Sequence, residues 1–291
     1  MLGTSCVHNE RGIYTSRMSK INIKQLKVTP GQSVSLKAMR PAEDFGMSRE
    51  KGEARLQKDL ERLEDLQYKF FAEAKRSMLI VLQGIDTAGK DGTIRKVMSA
   101  FNPQGVYVKS FKAPSGQELF HDFLWRVHAA CPPRGSIGIF NRSHYEDVLV
   151  TRVHRKFSDE VLDKRLKHIN NFEQMLADEG TIIVKLFLNI SKEEQLERLK
   201  TRLDDKSRNW KFSSADVRER AFWRRYITVF ERTLSATSTK EAPWWIIPSD
   251  RKWVRNLAVS EVLLRTLEQM NLDWPRPDVE LGKVRRELER A

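Results

Sequence analysis

The chain has 291 residues, enough to bury a proper core as one large α/β domain or two small ones. Its 52 Lys and Arg against 39 Asp and Glu leave a net charge of +13, which points to a polyanionic partner: nucleic acid, an anionic membrane or a polymeric phosphate. Two cysteines far apart, Cys6 and Cys131, exclude a disulfide scaffold, and no apolar stretch is long enough to cross a bilayer or form a signal peptide, so a cytoplasmic protein is expected.

Residues 1–45 carry Gly, Pro, Ser and Thr with little periodicity and read as an arm, partly disordered or irregular. Met18 is an alternative start, and a cut there is expected to be harmless. From residue 48 to 74, Leu56, Leu60, Leu63, Leu66 and Phe70 recur at helical spacing among charges, giving an amphipathic helix. The apolar run 78–82 then reads as a strand. It feeds Gly84, Ile85, Asp86, Thr87, Ala88, Gly89, Lys90, Asp91, Gly92 and Thr93, followed by Ile94, Val97, Met98 and Phe101 at helical spacing. Strand, Gly-rich turn, Lys and helix in this order make a P-loop.

The chemistry of that loop follows from its composition. Glycines let successive backbone N–H groups converge on an anion, and Lys90 adds a mobile point charge for phosphoryl oxygens. Asp91 stands where such loops have Ser or Thr, and Asp86 lies inside the loop. Carboxylates beside a phosphate repel it unless a cation lies between them, so Mg²⁺ held by Asp86 or Asp91 is expected, with Mn²⁺ as the alternative ion.

Further along, the runs 106–111, 136–140, 181–188 and 244–247 read as strands separated by helical stretches. Such alternation predicts a three-layer α/β/α sandwich on a parallel sheet, with its ligand at the carboxyl ends of the strands. The run 136–140 leads into Asn141, Arg142, Ser143, His144, Tyr145, Glu146 and Asp147. A metal-binding acid is usual at the position of Asn141, which brings no charge and is the weaker metal candidate. Arg142 at a strand's carboxyl end is suited to grip a phosphate bidentately. His144 adjoins the site and offers a phosphohistidine, but a nucleotide phosphate is already an ionised nucleophile and needs no covalent relay.

Between residues 198 and 226, Arg198, Lys200, Arg202, Lys206, Arg208 and Lys211 crowd a helix and a polar loop. Beside a phosphate-binding fold this density suits a helical basic lid that excludes water, a competing phosphoryl acceptor. Trp210, Trp223, Trp244, Trp245 and Trp253 are core by default, with one of them available to stack on a base. The helix 254–270 and the helix before the P-loop are the candidate oligomer interfaces, and residues 273–291 form a charged tail.

The segments 84–93, 140–150 and 202–213 together, with Pro248, Ser249, Asp250, Arg251, Lys252 and Trp253, resemble the polyphosphate kinase 2 family over roughly residues 44–272, which sets the kinase domain at 46–272. The resemblance implies a thymidylate-kinase-like P-loop kinase fold and Mg²⁺-dependent phosphoryl transfer between inorganic polyphosphate and adenine, or also guanine, nucleotides. It implies a homo-oligomer, dimer or tetramer, and essential roles for Asp86, Lys90 and Arg142. Members using nucleoside diphosphates carry Asp at the position of Asn141 and Asn at that of Glu146. This chain instead looks like the class accepting both AMP and ADP.

On this reading the loop from Gly84 to Thr93 and Glu146 hold the nucleotide, and polyphosphate threads along Arg95, Lys96, Arg198, Lys206, Arg208 and Lys211. Lys90, Arg142 and the lid's Arg202 neutralise the transferring group. An ATP-dependent nucleotide or nucleoside kinase and a non-catalytic nucleic-acid-binding P-loop protein are the rival readings. Nothing in the sequence resembles a base-reading module, so neither nucleic acid nor a membrane is expected as the main partner.

Overall fold

The computed structural model describes residues 21–291, without the side chain of Lys211. Helix α1 (Arg49–Glu73) starts where the Ser48 hydroxyl accepts from the Lys51 N–H and stops where Ala74 turns left-handed. Then come β1 (Ser77–Gln83), α2 (Lys90–Lys96), β2 (Val106–Ser110), α3 (Trp125–His128), β3 (Ile137–Asn141), α4 (Glu146–Val153) and α5 (Asp159–Asp178). The second half is β4 (Thr181–Asn189), α6 (Lys192–Asp204), α7 (Ser214–Arg220), α8 (Trp223–Thr237), β5 (Trp244–Pro248), α9 (Lys252–Glu268) and α10 (Leu281–Leu288).

Among the described residues the five strands form one parallel sheet in the order β2-β3-β1-β4-β5. Every residue of β1 is buried, because helices cover both faces of the sheet. One face packs α1 and α9 through Leu56, Leu63, Phe70, Leu257, Val262 and Leu267, and the other packs α4, α5 and α8 through Val148, Leu149, Leu166, Phe172, Phe230 and Leu234. The expected three-layer sandwich is thus present. Strands β2 and β3 lie on one side of β1 and β4 and β5 on the other, so the strand order reverses at β1 and its carboxyl edge is the crevice where such sheets place ligands.

One expectation needs revision. The helix after the P-loop stops at Lys96 and gives way to a 3-10 turn over Met98–Ala100. Val97, Met98 and Phe101 nevertheless stay buried. The described part of the arm is irregular but packed: Ile21, Ile23, Leu26, Val28, Val34 and Leu36 are buried. The Val28 N–H donates to the Trp244 carbonyl at 2.9 Å and Lys27 bridges Trp245 antiparallel, so the arm lies along the free edge of β5. The possible start at Met18 lies outside the described residues. Helices α1 and α9 pack apolar faces on each other and on the sheet. The charged tail carries the exposed α10, with Trp274 edge-on to Tyr68 at 5.5 Å.

Candidate active site

The P-loop is shaped by close approaches at its two ends. Gly84 has φ +154°, and a Cβ there would lie 2.9 Å from the Leu188 carbonyl oxygen. Gly89, the N-cap of α2, has φ +112°, and a Cβ would overlap the Arg255 guanidinium. Between them Thr87 is left-handed, at φ +66°. Lys90 folds back over the loop and donates from Nζ to the Gly84 carbonyl at 2.7 Å. Burial lowers its proton affinity, with Asp86 opposing, so an incoming anion would restore what desolvation removes.

Two elements from the second half clamp this loop. Arg198 on α6 donates from Nη1 to the carbonyls of Thr87 (2.9 Å) and Ala88 (3.1 Å) and from Nη2 to Ser249 and Asp250. Its Nε donates to Glu194 at 2.8 Å. All its donors are thus engaged within the protein, so it acts as a clamp on the loop, not as the free polyphosphate ligand expected. Gln195 adds a bond to the Asp86 carbonyl at 3.2 Å. Arg255 on α9, 3% exposed, backs Gly89 and Gly92, and burial together with Arg198 pulls its proton affinity down to about 10. Lys252 stands in the same crowd, its own affinity lowered by burial and by Arg198, Arg208 and Arg255.

The β3 exit supplies the opposite wall. The Asn141 amide donates to Asp91 Oδ1 at 2.9 Å. Arg142 sits at φ +63° and donates from Nη2 to Asp86 Oδ1 at 2.9 Å. A left-handed Arg stores about 1–3 kcal/mol of strain, a cost concentrated in functional loops. The Gln83 amide, turned to satisfy both its ends, donates to Glu146 at 3.0 Å and accepts from Ser143. Burial pushes the Glu146 carboxyl up, against Arg142 and Lys90. His144 is fully buried against Glu173 at 3.2 Å, which removes it as a phosphoryl carrier.

A cleft of about 170 Å³ joins these parts. Gly84, Asp86, Arg142 and Glu146 line it together with the apolar Leu149, Trp223, Tyr226 and Phe230, and Asp216, Glu219 and Arg220 come from α7. Glu219 accepts from Tyr226 at 2.7 Å and lies 3.1 Å from His154 Nε2, tying α7 to α8 and α4. The lid arginine on the cleft wall is Arg220, bonded to Gln195 at 2.7 Å. Arg202 instead pairs with Asp216 at 3.5 Å, one residue removed from the cleft. Arg95, Lys96 and Lys206 are exposed, and so is Arg208, which pairs with Asp205 at 2.9 Å. The Lys211 side chain lies outside the description. Trp210 is 74% exposed, and Trp223 is the tryptophan that reaches the cleft.

Asp86, Asp91 and the side-chain oxygens of Asn141, Thr87 and Thr93 are hard donors at one loop. The two threonine hydroxyls are buried without partners. Among the described residues no three acidic, His or Cys side chains converge to cage a cation. That donor set fits Mg²⁺, which keeps waters and phosphate oxygens and takes only one or two carboxylates.

A parallel sheet with a Gly-rich loop at the carboxyl end of β1 defines a P-loop kinase fold. A family model described as polyphosphate kinase 2 matches residues 46–275, and the chain belongs to that family. It is 49% identical over 223 residues to an AMP/ADP-polyphosphate phosphotransferase of Meiothermus ruber, covering 77% of this chain and 84% of that protein. An ADP-polyphosphate phosphotransferase of Rhodopseudomonas palustris is 43% identical over 88% of this chain and 93% of its own length. The crystal structure of polyphosphate kinase 2 from Arthrobacter aurescens TC1 matches with a TM-score of 0.89 at 40% identity, over 92% of this chain and 96% of that one.

Proposed function

We propose that this protein transfers the terminal phosphoryl group of inorganic polyphosphate to AMP and to ADP, reversibly, giving ADP and ATP. The observation that carries the reading is one loop bearing Lys90 folded on the Gly84 carbonyl and Asp86 met by Arg142 at 2.9 Å, in a member of this family. Both cations already lean on oxygens of the loop and would exchange them for phosphoryl oxygens. The loop from Gly84 to Lys90 would cradle the phosphate, Lys90 and Arg142 would neutralise the transferring group, and Arg220 would approach from α7. The acceptor's phosphate oxygens are ionised at neutral pH, so no general base is required and the residues act by positioning and charge. Asp86 and Asp91 would hold Mg²⁺, or Mn²⁺, which would screen donor, acceptor and carboxylates from one another.

The apolar lining of Trp223, Tyr226 and Phe230 suits a nucleobase. The neighbouring charges of Lys252 and Arg208 support a polyanionic donor. Few cysteines, and no described helix long and apolar enough to cross a membrane, are consistent with action in the cytosol. The test is anion-exchange analysis of nucleotides after incubating the protein with Mg²⁺, AMP and long-chain polyphosphate, with no ATP present. ADP followed by ATP is expected. ADP alone restricts the acceptor to AMP. Activity only with ATP as donor overturns the reading.

A further inference from the structure

The turn between β3 and α4 keeps its shape against a backbone penalty. At φ +63° the Arg142 side chain crowds its own backbone, and such a residue persists only where its neighbours over-determine it. Upstream, the Arg142 N–H is fixed on the Leu82 carbonyl at 3.1 Å. Downstream, His144 and Tyr145 are fully buried and reach a polar knot closed to water. Tyr145 Oη donates to Glu173 Oε1 at 2.8 Å and accepts from Lys185 Nζ at 2.9 Å. His144 Nε2 meets the same Glu173 oxygen at 3.2 Å. Lys185 also donates to Glu173 Oε2 and to the Thr237 carbonyl, both at 2.6 Å, which occupies its three ammonium protons.

Neither Lys185 nor Glu173 touches the cleft, and both are completely buried. Burial alone would raise the Glu173 carboxyl, but the Lys185 charge and His144 hold it below its ordinary range, while burial lowers the Lys185 ammonium against the pull of Glu173. Buried ion pairs are seldom retained for stability, since apolar replacements of equal volume often do as well. What this one holds is the pair of residues that separates Arg142 and Ser143 from the start of α4.

We propose that the Lys185–Glu173 pair is a positioning device for Arg142. By anchoring the Tyr145 hydroxyl and the His144 ring, it keeps the turn in the left-handed form that aims the guanidinium at Asp86. The inference rests on the phosphate-gripping role proposed for Arg142.

Tyr145→Phe tests it, because it removes one hydroxyl and leaves the ring packed between Trp244 and His144. The kcat for phosphorylation of ADP by polyphosphate is expected to fall about tenfold, the scale of a sub-ångström misplacement. In an Arg142→Ala background the same change is expected to alter kcat less than about twofold, because the group it positions is gone. Equal losses in the two backgrounds, or no loss in the native one, overturn the inference. The Arg142→Ala protein by itself examines the underlying role: native turnover in it removes Arg142 from the chemistry, whereas a collapse with additive losses leaves that role standing and sinks only the positioning claim.

Discussion

Gly89 meets two demands that no other residue satisfies together, a φ of +112° and a guanidinium packed where a Cβ would be. Gly89→Ala should therefore lose at least about 1 kcal/mol of stability in denaturant titration and most of its activity, since Arg255 must shift and the loop with it. Lys90→Met should behave differently. Burial already disfavours the charge there, so the thermal midpoint should hold or rise while kcat drops about a hundredfold or more. Glu146 gives a prediction with a pH sign. Its carboxyl is pushed above the ordinary range, so the folded state binds its proton more tightly than the unfolded chain. The charged form thus weakens the fold above that raised value, and the penalty vanishes below the ordinary value of about 4.3. Glu146→Gln should raise the melting temperature at pH 8 and lose that advantage as the pH approaches 4. At this scale the sequence shows the residues whose placement is local: Lys90, Asp86 and Arg142 meet at one loop, as loop composition and strand position suggest. Arg198, Gln195, Arg220 and Arg255 were not assigned those places, because each is brought in by contacts between segments distant in the chain. Small residues at 89 and 92 signal a close approach without saying what approaches.

Helices α1 and α9 meet through a residue that is poor for either helix alone. Gly52 lies inside α1, where Ala is favoured by about 1 kcal/mol, but a Cβ there would overlap the Trp253 ring. Gly52→Ala is expected to destabilise the protein by roughly 1–2 kcal/mol net, seen in urea unfolding, with KM for nucleotide nearly unchanged because neither residue lines the cleft. The Asp59 carboxylate in the same seam accepts from Arg55 at 3.1 Å and Ser260 at 2.9 Å, so the helices are matched in polarity as well as shape. The strands were legible because a parallel strand covered on both faces is a continuous apolar run. The length of α2 was not, since burial of Val97, Met98 and Phe101 imitates helical spacing across a 3-10 turn. The packed arm also escaped notice: Val28, Val34 and Leu36 follow no period, because an irregular segment buries whichever side chain happens to face the sheet.

For the molecule as a whole, a net charge of +13 makes attraction to a polymeric anion a long-range effect as well as a local one. The screening length shrinks to about 8 Å at physiological ionic strength, so KM for long-chain polyphosphate should rise steeply, about tenfold or more, between roughly 50 and 200 mM salt. KM for the nucleotide, held by a few buried groups, should move far less in the same assay. The arm along β5 has a bearing on how the chain assembles. The Ser238 hydroxyl donates to the Val28 carbonyl across 210 positions, and the Val34 N–H reaches Ser235 across 201. During synthesis the arm's apolar side chains leave the ribosome long before α8 and β5 exist to receive them. Closure of that sheet edge is therefore a late event with a long loop to draw in, and a chain halted ahead of residue 235 would expose an unpaired strand edge to its neighbours.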